Sequence, residues 1–132
     1  MKHIAPSQKI YTAKSTIPHA DRGVFAWVSM KEGEVIEVCP FIEIHDPESS
    51  NLENNFLINY YYFFGETKER VLVALGFGSL YNHDYAPNAA YTIHPDEQTI
   101  VFSAIKNIRK NEEIKVNYNH GNDDCAPLWF EE

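Results

Sequence analysis

The sequence predicts a small, mainly β domain, and three observations carry that prediction. Short runs rich in β-branched and aromatic residues recur along the chain. Turn-forming residues separate them at modest spacing, a rhythm that favours an all-β domain over βαβ units. A length of 132 residues suits one domain over 1–132, and 44% hydrophobic with 14% aromatic residues can bury a core without staples.

The predicted strands follow in order. Lys9–Lys14 holds Ile10, Tyr11 and Thr12, and Val24–Val28 holds two valines, a phenylalanine and a tryptophan. Glu34–Ile44 is the longest run, and the polar turn Lys31-Glu32-Gly33 precedes it. Arg70–Leu75 is a short aliphatic run. Ala89–His94 and Gln98–Ala104 form a hairpin across His94-Pro95-Asp96-Glu97. Glu113–Tyr118 follows the turn Arg109-Lys110-Asn111 and ends in a tyrosine. Between the third and fourth strands lies a polar loop, His45 to Asn51. The aromatic block Leu52 to Phe64 follows, and at this length its periodicity fits a short helix or a strand equally. The tail from Gly121 to Glu132 has no regular pattern but carries Trp129 and Phe130, rings that usually dock onto something.

Composition narrows the function classes. A formal net charge of −8, from 11 basic and 19 acidic residues, provides no basic stripe for a nucleic-acid backbone. It suits a Lys/Arg-rich partner drawn in by long-range attraction, although simple solubility explains the charge alone. The start MKHIAPSQKIYT has no apolar run of signal-peptide length, and no run is long enough to span a membrane, so a soluble intracellular protein is expected. The 2 cysteines, Cys39 and Cys125, make neither a disulfide framework nor a zinc knuckle.

The common catalytic signatures are missing: there is no HExxH, GxSxG, P-loop or dinucleotide fingerprint, and Gly76-Phe77-Gly78 is only a GxG fragment. Four segments remain. In Ala20 to Ala26, Gly23 lets backbone approach a ligand, though a plain turn reads the same way. Asn82 and His83, in the run Leu75 to Asn88, either bond a polar cofactor or tie down a turn. Tyr118 either offers a hydroxyl to a pocket or is a half-buried aromatic. Trp129-Phe130 stacks on a purine, covers a channel, or docks on the core.

Taken in order, these segments resemble the SET-domain protein lysine methyltransferases. The family pattern runs G-x-G-x-F, G-E-x-I, N-H-x-x-x-P-N and E-E-[LI]-x-x-x-Y. Here it reads Asp21-Arg22-Gly23-Val24-Phe25, Gly33-Glu34-Val35-Ile36, Asn82-His83-Asp84-Tyr85-Ala86-Pro87-Asn88 and Glu112-Glu113-Ile114-Lys115-Val116-Asn117-Tyr118. The likeness covers about 20–118, leaving 119–132 as an aromatic tail, and four ordered motifs are far more specific than any one. The run Ala74 to His83 is most similar to compact stand-alone viral and bacterial members.

The resemblance implies a β-clip fold of small sheets with a short variable insert and a knot-like C-terminal threading. It implies an S-adenosyl-L-methionine cofactor and a peptidyl lysine, such as one on a histone tail, entering a narrow channel from the opposite face. By motif position Arg22, Gly23 and Ser79 approach the cofactor through backbone, Asn82 and His83 hold it, and Trp129 covers its adenine. Tyr118 takes the catalytic position and also borders the cofactor. Tyr91 falls where Phe or Tyr influences how many methyl groups are added, and a Tyr resembles enzymes that stop at one. Cys39 stands where many members carry a channel tyrosine, and His120 where another aromatic is frequent, so both belong to the substrate channel. Asp21 replaces a usual glycine. The zinc-binding C-x-C-x4-C pattern is absent, and no metal is expected. Compact members can be homodimers, and the Asn59 to Phe64 block offers a dimer surface, a peptide-binding edge or plain core.

The leading expectation is thus a methyltransferase acting on a basic protein, without direct contact to nucleic acid or membrane. Its compartment is the cytoplasm if bacterial and extends to the nucleus if viral or eukaryotic. The departures at Asp21, Cys39 and His120 support an alternative, a SET-fold module that binds peptide or cofactor with little transferase activity. A small β-barrel metalloprotein using scattered histidines is the weakest reading.

Overall fold

Nine strands form among the described residues, which are 3–44, 60–65 and 70–118 of the computed structural model. They are β1 (Ile10–Lys14), β2 (Arg22–Ala26), β3 (Val35–Ile44), β4 (Tyr61–Phe64), β5 (Arg70–Ala74), β6 (Asn82–His83), β7 (Ala89–His94), β8 (Thr99–Ala104) and β9 (Glu113–Val116). Among the described residues helix is limited to 3-10 geometry, in the turn Pro95–Glu97 and at Tyr60. The mainly β class expected from the alternating runs therefore holds.

Two sheets result, a four-stranded one ordered β1-β2-β9-β6 and a five-stranded one ordered β4-β5-β3-β8-β7. Six of the seven strand pairings are antiparallel, and three of these, β1–β2, β4–β5 and β7–β8, join sequence neighbours. The β7–β8 hairpin pairs His94 with Thr99, and Gln98 takes a left-handed φ of 55° to close it. Gly33 at φ 89° and Asn111 at φ 70° close the two polar turns, as their residue types allow. One pairing is neither local nor antiparallel. The two-residue strand β6 lies parallel to β9, Asn82 opposite Lys115 and His83 opposite Val116.

The sheets close around Val24, Met30, Ile36, Leu72, Tyr81, Ile100, Phe102, Ile108, Ile114 and Val116, all at most 2% exposed. Burying each such side chain contributes about 1.5–3 kcal/mol of transfer free energy. One break in the strand alternation bears on the site. A register shift between Val35 and Glu37 turns both Ile36 and Glu37 inward, so a carboxylate enters the core beside Tyr81.

Several boundaries differ from the sequence reading. β2 begins at Arg22, because Arg22 pairs with Lys14 across the β1–β2 hairpin, and it stops at Ala26 where Trp27 and Val28 become exposed. β9 stops at Val116, since β6 offers it a partner for only two residues. The aromatic block resolves to strand over Tyr61–Phe64, with Tyr62 in the core and its hydroxyl donating to the Gly78 carbonyl. Residues 52–59 of that block, the polar loop at 45–51 and the tail at 119–132 lie outside the described residues, and so does the expected C-terminal threading.

Candidate active site

The parallel β6–β9 pair builds the first half of the site. It sets Asn82 beside the start of β2, where the Asn82 amide nitrogen donates to the Arg22 carbonyl at 3.0 Å and to Glu113 Oε2 at 3.0 Å. Gly23 runs directly beneath. A Cβ there would sit 2.3 Å from Glu113 Oε2 and 3.0 Å from Asn82 Nδ2, so only glycine leaves room. Arg22, Gly23, Asn82 and Glu113 are thus brought together from three strands and three of the quoted motifs. Asn88 staples β9 through its backbone. Its amide nitrogen donates to the Glu113 carbonyl at 2.9 Å and its Oδ1 accepts from Lys115 N–H at 2.9 Å.

The second half is a group of tyrosines whose hydroxyls meet backbone carbonyls. Tyr118 O–H donates to the Tyr81 carbonyl at 2.7 Å, while its own N–H donates to His83 Nδ1 at 3.0 Å. Tyr91 O–H reaches the Tyr118 carbonyl at 3.5 Å, the outer limit of a hydrogen bond. The rings of Tyr62 and Tyr91 meet edge to face at 4.9 Å, and both pack near Phe102 at 6.2 and 6.1 Å. Burial dominates the titration of all three phenols. It pushes Tyr91 up to about 12 and lifts Tyr62 and Tyr118 well above the ordinary range, with neighbouring Tyr60 and Glu113 adding to Tyr118. At neutral pH these groups are uncharged hydrogen-bond donors, not phenolates.

A third cluster supports the other two. Glu37 accepts from the Tyr81 hydroxyl at 2.8 Å and from Phe77 N–H at 3.0 Å. Cys39 is fully buried alongside, and burial together with the Glu37 charge pushes its thiol far up, so it is an inert thiol. The GxG fragment has its explanation here. A Cβ on Gly76 would approach Glu37 Oε2 to 2.6 Å, and one on Gly78 would approach Cys39 Sγ to 2.9 Å. Ser79 follows in the same turn, its hydroxyl donating to the Ala74 carbonyl at 3.1 Å.

Of the sequence-predicted residues, Arg22, Gly23, Asn82, His83, Tyr91 and Tyr118 converge, and Cys39 and Ser79 sit in the adjoining support cluster. His120 and Trp129 lie outside the described residues. Four contributors escaped the sequence reading: Glu37, Tyr81, Asn88 and Glu113. Glu113 stood inside a quoted motif, and the neighbouring glycine was the available clue to a buried carboxylate. Among the described residues no group of three His, Cys, Asp or Glu side chains is disposed to hold a metal ion. No helix among them is long and apolar enough to cross a membrane.

Comparison with known proteins bears on this geometry. The chain is 30% identical over 112 residues to the histone-lysine N-methyltransferase, H3 lysine-37 specific, of Schizosaccharomyces pombe, covering 84% of this chain and 71% of that protein. A Plasmodium falciparum protein described as a candidate histone methyltransferase superposes with a TM-score of 0.68 at 35% identity, covering 89% of this chain and 97% of that one. The ctPRC2 complex bound to S-adenosylmethionine shares the fold, with a TM-score of 0.69 at 24% identity over 87% of this chain and 15% of that one. The SET domain family matches residues 21–119, a span that takes in every described strand except β1. The chain belongs to the SET domain family, the protein lysine methyltransferases that its four motifs resemble.

Proposed function

We infer that this protein lysine methyltransferase draws its methyl group from S-adenosylmethionine and delivers it to a lysine on a basic protein, a histone tail being the favoured class. The observation that carries this reading is the meeting of two features. A clasped, Cβ-free strand start at Arg22 and Gly23 adjoins a set of neutral tyrosine hydroxyls around Tyr118. When bound, S-adenosylmethionine supplies a methyl already activated by a sulfonium sulfur.

The residues present fit such a group. Both acceptors facing Asn82 are satisfied by its nitrogen, which leaves Oδ1 turned away from them to receive an ammonium or hydroxyl donor. Arg22 and Gly23 expose backbone at the same point, and His83, anchored through Nδ1 to Tyr118 N–H, holds that chain segment in line. Tyr118 then orients rather than deprotonates, because its raised phenol stays protonated at neutral pH. The walls of Tyr62, Tyr91 and Phe102 exclude water. A lysine amine brought against the Tyr91 and Tyr118 hydroxyls loses the solvation that stabilises its charge, so its pKa falls and the neutral, reactive form is populated. Tyr91 is the candidate control on methyl number, and the 19 acidic residues suit a basic substrate. A histone substrate would place the protein in a nucleus.

The test is direct. Purified protein is incubated with isotopically labelled S-adenosylmethionine and core histones, with Tyr118→Phe in parallel. Label on histone lysine that disappears in the variant supports the reading. Cofactor binding with no transfer to any basic protein supports a binding module instead.

A further inference from the structure

We propose that Glu113 is a positioning residue: its buried carboxylate fixes which end of the Asn82 side chain faces the cofactor. This rests on the assignment of S-adenosylmethionine to the face formed by Arg22, Gly23 and Asn82, and it assigns Glu113 no contact with the cofactor itself.

Glu113 lies on β9 and is 5% exposed, yet its carboxylate is densely bonded. Oε1 accepts from Thr16 N–H at 2.9 Å and from the Thr16 hydroxyl at 2.6 Å. The Ser15 hydroxyl lies 2.8 Å from Oε2 and 3.1 Å from Oε1, and Asn82 Nδ2 donates to Oε2 at 3.0 Å. Every one of these donors is neutral. Burial pushes the carboxyl upward, but the hydrogen bonds from Asn82, Thr16 and Ser15 outweigh it, so the group is held below its ordinary value and is ionised at neutral pH.

Three consequences follow from an acceptor-only group at this position. First, Asn82 has a single workable orientation. The Arg22 carbonyl and Glu113 Oε2 both require a donor, and a flipped amide would set its oxygen against two oxygens. Oδ1 is therefore committed to the outward side. Second, the same carboxylate holds Ser15 and Thr16, which follow β1, and so ties the β1–β2 connection to β9 next to Arg22. Third, Gly23 lacks a Cβ at the very place where one would strike Oε2 at 2.3 Å. The glycine of the first motif and the glutamate of the last are two halves of one device. A plain structural carboxylate needs the Ser15 and Thr16 bonds but has no need to select the amide orientation of a residue in the site.

The experiment compares wild type, Glu113→Gln, Asn82→Ala and the double variant. Binding of S-adenosylmethionine and S-adenosylhomocysteine is measured by calorimetry, and Asn82 side-chain amide signals are followed by NMR in the free protein. Glutamine keeps the shape but presents a nitrogen that no longer enforces the amide orientation. Glu113→Gln is expected to weaken S-adenosylmethionine binding ~10- to 100-fold, the loss of a charge-assisted hydrogen bond. Its Asn82 side-chain signals should shift or split. In the Asn82→Ala background, the same Gln substitution should change affinity less than about twofold, because the residue it acts through is gone. As pH falls below the ordinary carboxylate range, wild-type affinity should drop toward that of Glu113→Gln, whose own affinity should not move in that window. Equal effects of Glu113→Gln in both backgrounds, or unchanged Asn82 signals with wild-type affinity, would overturn the proposal. Wild-type protein that binds neither compound would instead sink the cofactor assignment, and the positioning role with it. The NMR signals of the free protein distinguish these two failures.

Discussion

Tyr118 is the residue to which the proposed chemistry is assigned. Its hydroxyl is neutral, half-buried and bonded to a backbone carbonyl, so Tyr118→Phe should remove a donor while leaving the ring packed. Transfer should fall on the order of 100-fold or more, with a stability cost of only about 1 kcal/mol. Rates from a labelled-methyl assay and a melting curve check both halves. Loss of activity accompanied by gross unfolding would show that Tyr118 acts structurally. Gly23→Ala makes the complementary test. Its Cβ has no room between Glu113 Oε2 and Asn82 Nδ2, and overpacking should cost about 1–3 kcal/mol. Cofactor affinity should fall with it, as calorimetry would report. Tyr118 and Gly23 were both legible in the sequence, because motif position alone singled them out. Glu37, Tyr81 and Glu113 were not. A glutamate in a strand reads as a solvent-facing residue under period-2 alternation. Glu37 is turned inward by a bulge, and Glu113 is made tolerable by donors from residues about a hundred positions away.

At the scale of elements, β6 decides whether there is a site. It has two residues, and no local pattern announces a two-residue parallel strand. Asn82 and His83 looked like a turn or a pocket, and they are a strand whose partner, β9, lies more than thirty positions downstream. The aromatic block was ambiguous for a related reason. Its Tyr61–Phe64 portion becomes a strand through pairing with β5, not through its own periodicity. The hairpin β7–β8 was legible because its turn chemistry is local. Asn88 is the staple that keeps β9 in place, and Asn88→Ala would strand the Glu113 carbonyl and the Lys115 N–H. Leaving these groups without partners should cost about 2 kcal/mol or more, lowering Tm by roughly 5–10 °C. Calorimetric melting of the variant checks this. A Tm within a degree or two of wild type would mean that β6–β9 pairing holds without it.

The whole molecule carries two further signatures. The three buried phenols bind their protons more tightly folded than unfolded. Their contribution to stability is fully present below the ordinary tyrosine value of 10.0 and is lost as pH climbs from there through about 12, the Tyr91 value. Fluorescence-monitored unfolding at increasing pH should show a base-driven transition in that window, and Tyr91→Phe should move it upward. The second signature is electrostatic. With a net charge of −8, association with a basic peptide should weaken as salt rises, raising KM several-fold between low and physiological ionic strength while kcat holds. The overall class, mainly β and of the SET family, was readable from ordered motifs and turn spacing. The registry of the sheets was not, because it is fixed by pairings between distant segments.

The central claim is that the tyrosine cluster beside the Arg22–Gly23 clasp transfers methyl groups to a protein lysine. Mass spectrometry of core histones incubated with S-adenosylmethionine and the protein tests it most directly, giving target lysine and methyl count together. The expected result is lysine methylation that wild type produces and Tyr118→Phe does not, limited to one methyl by Tyr91 and extended to two or three in Tyr91→Phe. Unmodified histones and unmodified basic proteins, from a protein shown to bind S-adenosylmethionine, would contradict it.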